Sequence, residues 1–403
     1  MTTLRDTETV RDLSDPELYR SGDPEAVWAL LRGRTPVRWT EREHAPGYWS
    51  VTSHALVSQV LRNAGAYSSE KGMRLDADPA ATAASAGKML IVTDPPRHGA
   101  IRRIINSSFT PAMVRRLTDT MRATARAVVA EAVEAGECDL VDVASRLPLS
   151  VICDMLGVPK ADWNHMLTLT RTAFGTSEAE SDPLRRSEAH TEILVYYSEL
   201  IGRRRRDPGE DIVSALVNGS IDGRPLTDSE VYLNCDGLIS GGNETTRHAT
   251  VGGILALMAH PAEFDRLRAR PELVDSAVEE ILRFTSPALH VLRTATRDTE
   301  LGGRHIREGD RLALWLPSAN RDEQVFPDSA RFDAGRTPNR HLAFAAGTHF
   351  CLGAALAGQE LRLLFEEIVR GVRHVEPAGP VRRLRSNLVW GYESVPVRLE
   401  GKQ

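Results

Sequence analysis

The sequence predicts a mainly α-helical fold with small β-sheets, and three observations predict it. A capping Thr110 followed by Pro111 opens AMVRRLTDTMRATARAVVAEAV, which keeps apolar residues at helical spacing for about six turns. A second run, VYLNCDGLISGGNETTRHATVGGILALMAH, lies behind Thr227-Asp228-Ser229-Glu230, which fits a capping box, and continues to Pro261. If unbroken, its roughly thirty residues span on the order of 45 Å, enough to cross a whole domain. The β-signals, in contrast, are short and lie towards both ends of the chain.

Taken in order, PVRW and YWSVTS (36–53) read as a β-hairpin, with Ser53 capping the helix that follows. VDVASRLPLSVICDMLG reads as a helix kinked near Pro148, and 160–205 as mostly helical but less regular. RRRR at 203–206 runs into DPGED as a solvated helix end; a binding patch is the competing reading. DSAVEEILRF is a helix. VLRTATR, LGGRHI and RLALWLP read as strands, the last two separated by the turn EGD, and VPVRLE is the final strand-like piece. With no repeat or low-complexity tract, 1–403 reads as a single domain, a helix-rich core with a smaller N-terminal β-rich part.

The composition is that of an ordinary globular protein, 41% hydrophobic and 26% charged, with a net charge of −5 that gives no nucleic-acid footprint. MTTLRDTETVRDLSDPELYR has no apolar core, and no run approaches a membrane span, so a cytoplasmic location is expected. NGS at Asn218 fits a glycosylation sequon, which that location makes a chance match. Cys138, Cys153, Cys235 and Cys351 show neither C-x-x-C pairing nor metal-spaced histidines, so neither a disulfide framework nor a zinc site is expected.

Cys351 sits in HLAFAAGTHFCLGAALAGQE, between Gly347 and Gly353 and directly before a helix-like run, LGAALAGQELRLLFEEIVRGV. A lone cysteine is commonly a small buried hydrophobe. Here the glycines permit unusual backbone and close approach, and a helix N-terminus favours a thiolate. The site therefore suits a negative sulfur held against a substrate carbonyl or a metal.

Phe344-x-x-Gly347-x-x-x-Cys351-x-Gly353 resembles the haem-binding loop of the cytochrome P450 family, soluble bacterial type. The resemblance implies the cytochrome P450 fold, with haem b between the long central helix and the cysteine loop and helix, and Cys351 as the thiolate ligand of the iron. Phe344 would pack near the sulfur side of the ring, and His349 would bond a haem propionate. Ala345 departs from the family's common glycine, which is expected to alter loop flexibility and not ligation.

Three further matches support it. Glu280 and Arg283, at i and i+3 on one helix face, are by themselves an ordinary surface pair. They resemble the family's E-x-x-R, with Arg336 as third partner. Two mid-helix glycines, each costing about 1 kcal/mol relative to alanine, precede an acid and an alcohol in Gly241-Gly242-Asn243-Glu244-Thr245. This resembles the family's oxygen groove: Gly242 would allow close approach, Glu244 would help deliver protons, and Thr245 would orient oxygen and its water. His98 and Arg102 in DPPRHGAIRR, with Arg293 on a strand, match the propionate-binding positions and with His349 would neutralise two carboxylates. The match spans nearly the whole chain, strongest over 227–365 and weakest over 65–90 and 160–205.

By the resemblance the chain is a haem-thiolate monooxygenase, oxidising and in the usual outcome hydroxylating a small organic molecule of secondary metabolism. The haem does the hard chemistry and the protein supplies ligation, protons and shape. Runs 238–243, 288–291 and 388–390 would line the substrate pocket, including Leu238, Asn243, Leu289, His290, Val291, Val389 and Trp390, with 73–89 as a lid. His290 and Trp390 read either as contacts to an aromatic substrate or as packed wall. With no reductase domain in the sequence, electrons would come from a ferredoxin and its reductase, docking on Arg102, Arg103, Arg115, Arg116 and Arg362. The competing readings are oxidative C–C or C–N coupling without oxygen insertion, a peroxide-driven relative, a degenerate haem-fold carrier or recruitment protein, and a cysteine hydrolase with His349 as base. The intact Glu244, Thr245 and Cys351 argue against the peroxide-driven and degenerate readings.

Overall fold

The computed structural model describes residues 11–108, 111–174 and 182–402. The extreme N-terminus and the capping Thr110 lie outside them. Proline-started Pro111–Ala135 is a 25-residue helix, as its pattern predicts. The region 160–205 resolves into Trp163–Phe174 and Pro183–Arg206, with 175–181 outside the described residues.

The central helix, Asp228–Ala259, is unbroken over 32 residues. Both halves of its capping box form. The Glu230 N–H donates to Thr227 Oγ1 at 3.3 Å, and the Thr227 N–H donates to Glu230 Oε2 at 2.8 Å. The helix packs against Leu140–Leu156, Pro183–Arg206, Val274–Thr285 and Ala354–Gly371, and the largest apolar core forms around it. Pro148 is accommodated inside the helix Leu140–Leu156.

The hairpin Val37–Thr40 and Tyr48–Val51 does form, but it is two strands of a five-stranded sheet. Tyr48–Val51 runs parallel to Arg311–Trp315, with Ser50 opposite Ala313. The sheet continues through His290–Ala295 to Tyr67–Ser68. The expected N-terminal β-rich part is therefore completed by strands from late in the chain. Pro396–Gly401 pairs between Val372–Pro377 and Glu137–Asp139, two strands the sequence pattern did not reveal. Ser53 occupies the predicted cap position without bonding. Asp322 Oδ2 accepts from the His54 N–H instead, at 2.8 Å.

Candidate active site

The thiol loop is built by glycine at one point. Gly347 has φ +70°, and a Cβ there would lie 2.4 Å from the Leu61 carbonyl oxygen, so only glycine fits. The loop closes through the Cys351 N–H, which donates to the Phe344 carbonyl at 3.0 Å. Gly353 caps the helix Ala354–Gly371 at φ −88° and leaves open space: a Cβ would meet nothing within 4 Å. Ala345 stands at φ +57°, a left-handed conformation that costs an L-residue on the order of 1 kcal/mol. The sequence suggests a lowered thiol pKa at the helix start. Burial instead pushes the Cys351 thiol up, against the smaller opposing pulls of the Gly353 N–H and Arg102.

Beside the thiol, cations gather. His98 and Arg293 are buried, and the His98 and His349 rings lie 4.3 Å apart. Arg102 donates to the Phe350 carbonyl at 2.8 Å, one residue from Cys351. Burial, then Arg293, His98 and Arg102, drive the His349 pKa down to about 3, and burial drives Arg293 to about 10. Asp94 is the one acid acting on His98 and Arg293, and His98 Nε2 is buried with no partner among the described residues. The charge of Arg293 and Arg102, with two imidazoles that burial and these arginines keep neutral, suits a site for an anion. Sequence reasoning missed Ser69, whose Oγ lies 3.1 Å from His349 Nε2, and Asp94, which accepts from the Ser69 N–H at 2.8 Å. Asp94 stands just before the PPRH run, a signal that could have found it; Ser69 carries none.

On the central helix the two glycines differ. A Cβ at Gly241 would meet nothing within 4 Å, while one at Gly242 would touch Ile152 of the helix Leu140–Leu156 at 3.4 Å. Gly241 therefore borders open space, whereas Gly242 faces the packed helix Leu140–Leu156. Thr245 Oγ1 donates to the Gly241 carbonyl at 3.0 Å, which sets its hydroxyl on that open side. Glu244 is buried and ion-paired with Arg247, with His248 Nε2 3.6 Å away. His248 Nδ1 accepts from the Tyr392 N–H at 3.3 Å, and burial lowers its pKa. Neither Arg247 nor His248 was singled out from sequence, although i+3 and i+4 spacing from Glu244 could have found both.

The Glu280 carboxylate is wholly buried. It accepts from Arg283 Nε and Nη2 at 2.7 and 2.8 Å, from Arg336 Nε at 3.0 Å, from Asn339 Nδ2 at 3.1 Å and from the Asp333 N–H at 3.0 Å. Arg283 also donates to the Asn320 and Ser329 carbonyls.

The family model "Cytochrome P450" matches residues 185–387. NovI of Streptomyces niveus, a cytochrome P450, is 38% identical, over 97% of this chain and 96% of NovI. The chain belongs to the cytochrome P450 family. Linalool 8-monooxygenase of Pseudomonas putida is 35% identical over 97% of the P450 and 99% of that enzyme. The crystal structure of OxyD, a P450 involved in the biosynthesis of vancomycin-type antibiotics, superposes with a TM-score of 0.90 at 39% identity, covering 97% and 100% of the two chains. The protein is thus an oxidoreductase whose family binds haem b through a cysteine thiolate. The arginines and histidines beside the thiol, the open flanks of Gly241 and Gly353 and the half-buried Cys351 fit that group.

Several expected pocket residues of the P450 are spent elsewhere. His290 is 1% exposed. Its Nε2 accepts from the Leu75 N–H at 3.1 Å, its Nδ1 bonds the Asn387 carbonyl at 2.9 Å, and its ring packs on Trp315. It is a strut tying the lid segment to the C-terminal loop. Leu289 is core, and Trp390 packs edge-on against Trp28 under Arg383. Asn243 is 0% exposed and points about 200° around the helix from Gly241, away from the open side. Leu238, Val291 and Val389 stay partly buried, and Val389 bridges Ala288. The segment 73–89, expected as a lid, contains a short helix, Pro79–Ser85, and its end is held by Asn234, which accepts from the Leu90 N–H and donates to the Lys88 carbonyl, both at 2.8 Å. Of the basic face, Arg103 and Arg115 are exposed. Arg102 is committed to the thiol loop, and Arg116 and Arg362 face Asp154 and Glu366. Among the described residues no helix is long and apolar enough to cross a membrane.

Proposed function

We propose that Cys351 is the thiolate that holds the haem, that His98, Arg102, Arg293 and His349 take its propionates, and that Glu244 and Thr245 manage protons on the oxygen side. One observation carries this reading: Arg102, on the helix Arg97–Asn106, donates to the Phe350 carbonyl beside the Cys351 thiol and also acts on His98 and His349, next to the buried Arg293. Bound haem supplies the activation of dioxygen. The protein's own residues do the rest. Phe344 closes the loop behind the sulfur through its carbonyl. Gly241 leaves room beside the central helix, and Thr245 sets a hydroxyl there. Arg247 pairs with Glu244 and fixes its carboxylate, which we propose takes up a proton and passes it on. The Glu280–Arg283–Arg336 cluster fixes the segment leading into the loop.

The reaction we infer is hydroxylation of a small organic molecule of secondary metabolism, with electrons from a ferredoxin and its reductase. The relatives OxyD, involved in the biosynthesis of vancomycin-type antibiotics, and linalool 8-monooxygenase support that substrate range. The test is a spectral screen for compounds that shift the haem spin state, followed by product mass. A gain of one oxygen is expected; loss of two hydrogens without oxygen gain overturns hydroxylation in favour of coupling.

A further inference from the structure

The face of the central helix turned away from Gly241 carries a polar seam through an apolar core. Taking about 100° per residue, Asp236, Ser240, Asn243 and Arg247 fall within a sector of about 60°, and Glu244 lies midway between Arg247 and Gly241. Asp236, Asn243 and Arg247 are 8%, 0% and 4% exposed. Among the described residues, Asp236 Oδ1, both amide atoms of Asn243 and Arg247 Nε are buried with no hydrogen-bond partner. So is the hydroxyl of Tyr197, which comes from the helix Pro183–Arg206 and senses Asp236, Cys235 and Cys153. Each such group left dry costs about 1–3 kcal/mol, and folds meet that need with internal water. At its outer end the seam reaches His190, which is 42% exposed with Nε2 3.8 Å from Asp236 Oδ2.

We propose that this seam holds a file of internal waters that carries protons from the His190–Asp236 end to Glu244. The proposal rests on the reading of Glu244 as the acid serving the oxygen side. A proton that Glu244 gives up is replaced through the file, and the file is refilled at Asp236 from bulk water past His190. Asn243 carries no proton itself: its Nδ2 donates to one water and its Oδ1 accepts from another, fixing their order. Each delivery leaves Glu244 ionised beside Arg247 until the file brings the next proton. Burial raises the Asp236 pKa against the opposing pull of His190, which suits a carboxyl that takes up a proton at the entrance. No electron moves in these steps, and water is the one co-reactant.

A high-resolution crystal structure of the haem-loaded protein is expected to show ordered waters on Asp236, Tyr197, Asn243 and Arg247; a dry, repacked seam overturns the proposal. Asn243→Leu removes the water sites at similar volume. Its thermal stability is expected to hold, since leucine fills a similar volume in an apolar surround, so a loss of rate is not a loss of fold. Its oxygen consumption, driven by a surrogate ferredoxin and reductase with oxygen alone as acceptor, is expected to fall about tenfold, below the usual contribution of a proton transfer. The solvent deuterium isotope effect is expected to grow, and Asp236→Asn should show the same signature. Unchanged rate and isotope effect in both variants overturn the seam. Glu244→Gln separates the two readings: if it slows consumption while Asn243→Leu does not, the seam alone fails. If Glu244→Gln has no effect, the reading of Glu244 itself has failed.

Discussion

Two buried charge clusters in this P450 are built on opposite plans. Around Glu280, two arginines, an asparagine and a backbone N–H converge on one carboxylate, and Arg283 spends its remaining donors on carbonyls. Around His349, Arg102, Arg293 and His98 meet with Asp94 as the one acid among the described residues that acts on His98 and Arg293, and His98 Nε2 has no hydrogen-bond partner among them. Burial raises the stakes of every charge in both places. A closed cluster is a lock, whose removal leaves an uncompensated charge. An open one is a receptor, incomplete until an anion arrives.

The largest effect should come from breaking the lock. Glu280→Ala leaves Arg283 and Arg336 unpaired and is expected to cost about 3–5 kcal/mol in denaturant unfolding, with little soluble protein recovered. In the receptor the sign should reverse. Arg293→Met removes a buried cation that Asp94 only partly offsets against burial, so the haem-free protein is expected to be as stable as wild type or more so. Its haem affinity should drop at least tenfold, about 1.4 kcal/mol, in a haem-transfer titration. If Arg293→Met destabilises the haem-free protein as much as Glu280→Ala, the contrast between lock and receptor is lost.

Acid sharpens the same contrast. The folded protein holds His290 down at about 4 and His349 at about 3, from an ordinary 6.5. A base with a depressed folded pKa contributes stability that is complete above 6.5 and is lost as pH falls through the window below it. His290 alone should account for roughly 3 kcal/mol by linkage between pH 6.5 and 4. Carboxylates beside His349 favour its charged form, so the haem-loaded protein should lose less over this window than the haem-free one, measured by parallel unfolding curves. The smallest effect is local: Ala345→Gly relieves the left-handed alanine at some cost in chain entropy, for a net gain of about 0.5 kcal/mol in thermal unfolding.

What could be read in advance followed local chemistry. The capping box, the long helix, the thiol loop and the i, i+3 pair Glu280–Arg283 are written in adjacent residues, and each is present. What escaped depends on how distant segments meet. His290 looks like a pocket residue until Leu75 and Asn387 occupy both its nitrogens. Gly241 and Gly242 are indistinguishable in sequence, and the packing of Ile152 decides which faces open space. The thiol pKa is set by burial, which spacing does not report, and Asn243 was read as pocket because nothing local places it against the core.

The most direct test of the haem-thiolate assignment is the reduced carbon-monoxide difference spectrum of haem-loaded wild type beside Cys351→Ala. The wild type should show the thiolate-type band and the variant should lose it. A variant that keeps the band, or a wild type that never shows it, places the iron on some other side chain and contradicts the assignment.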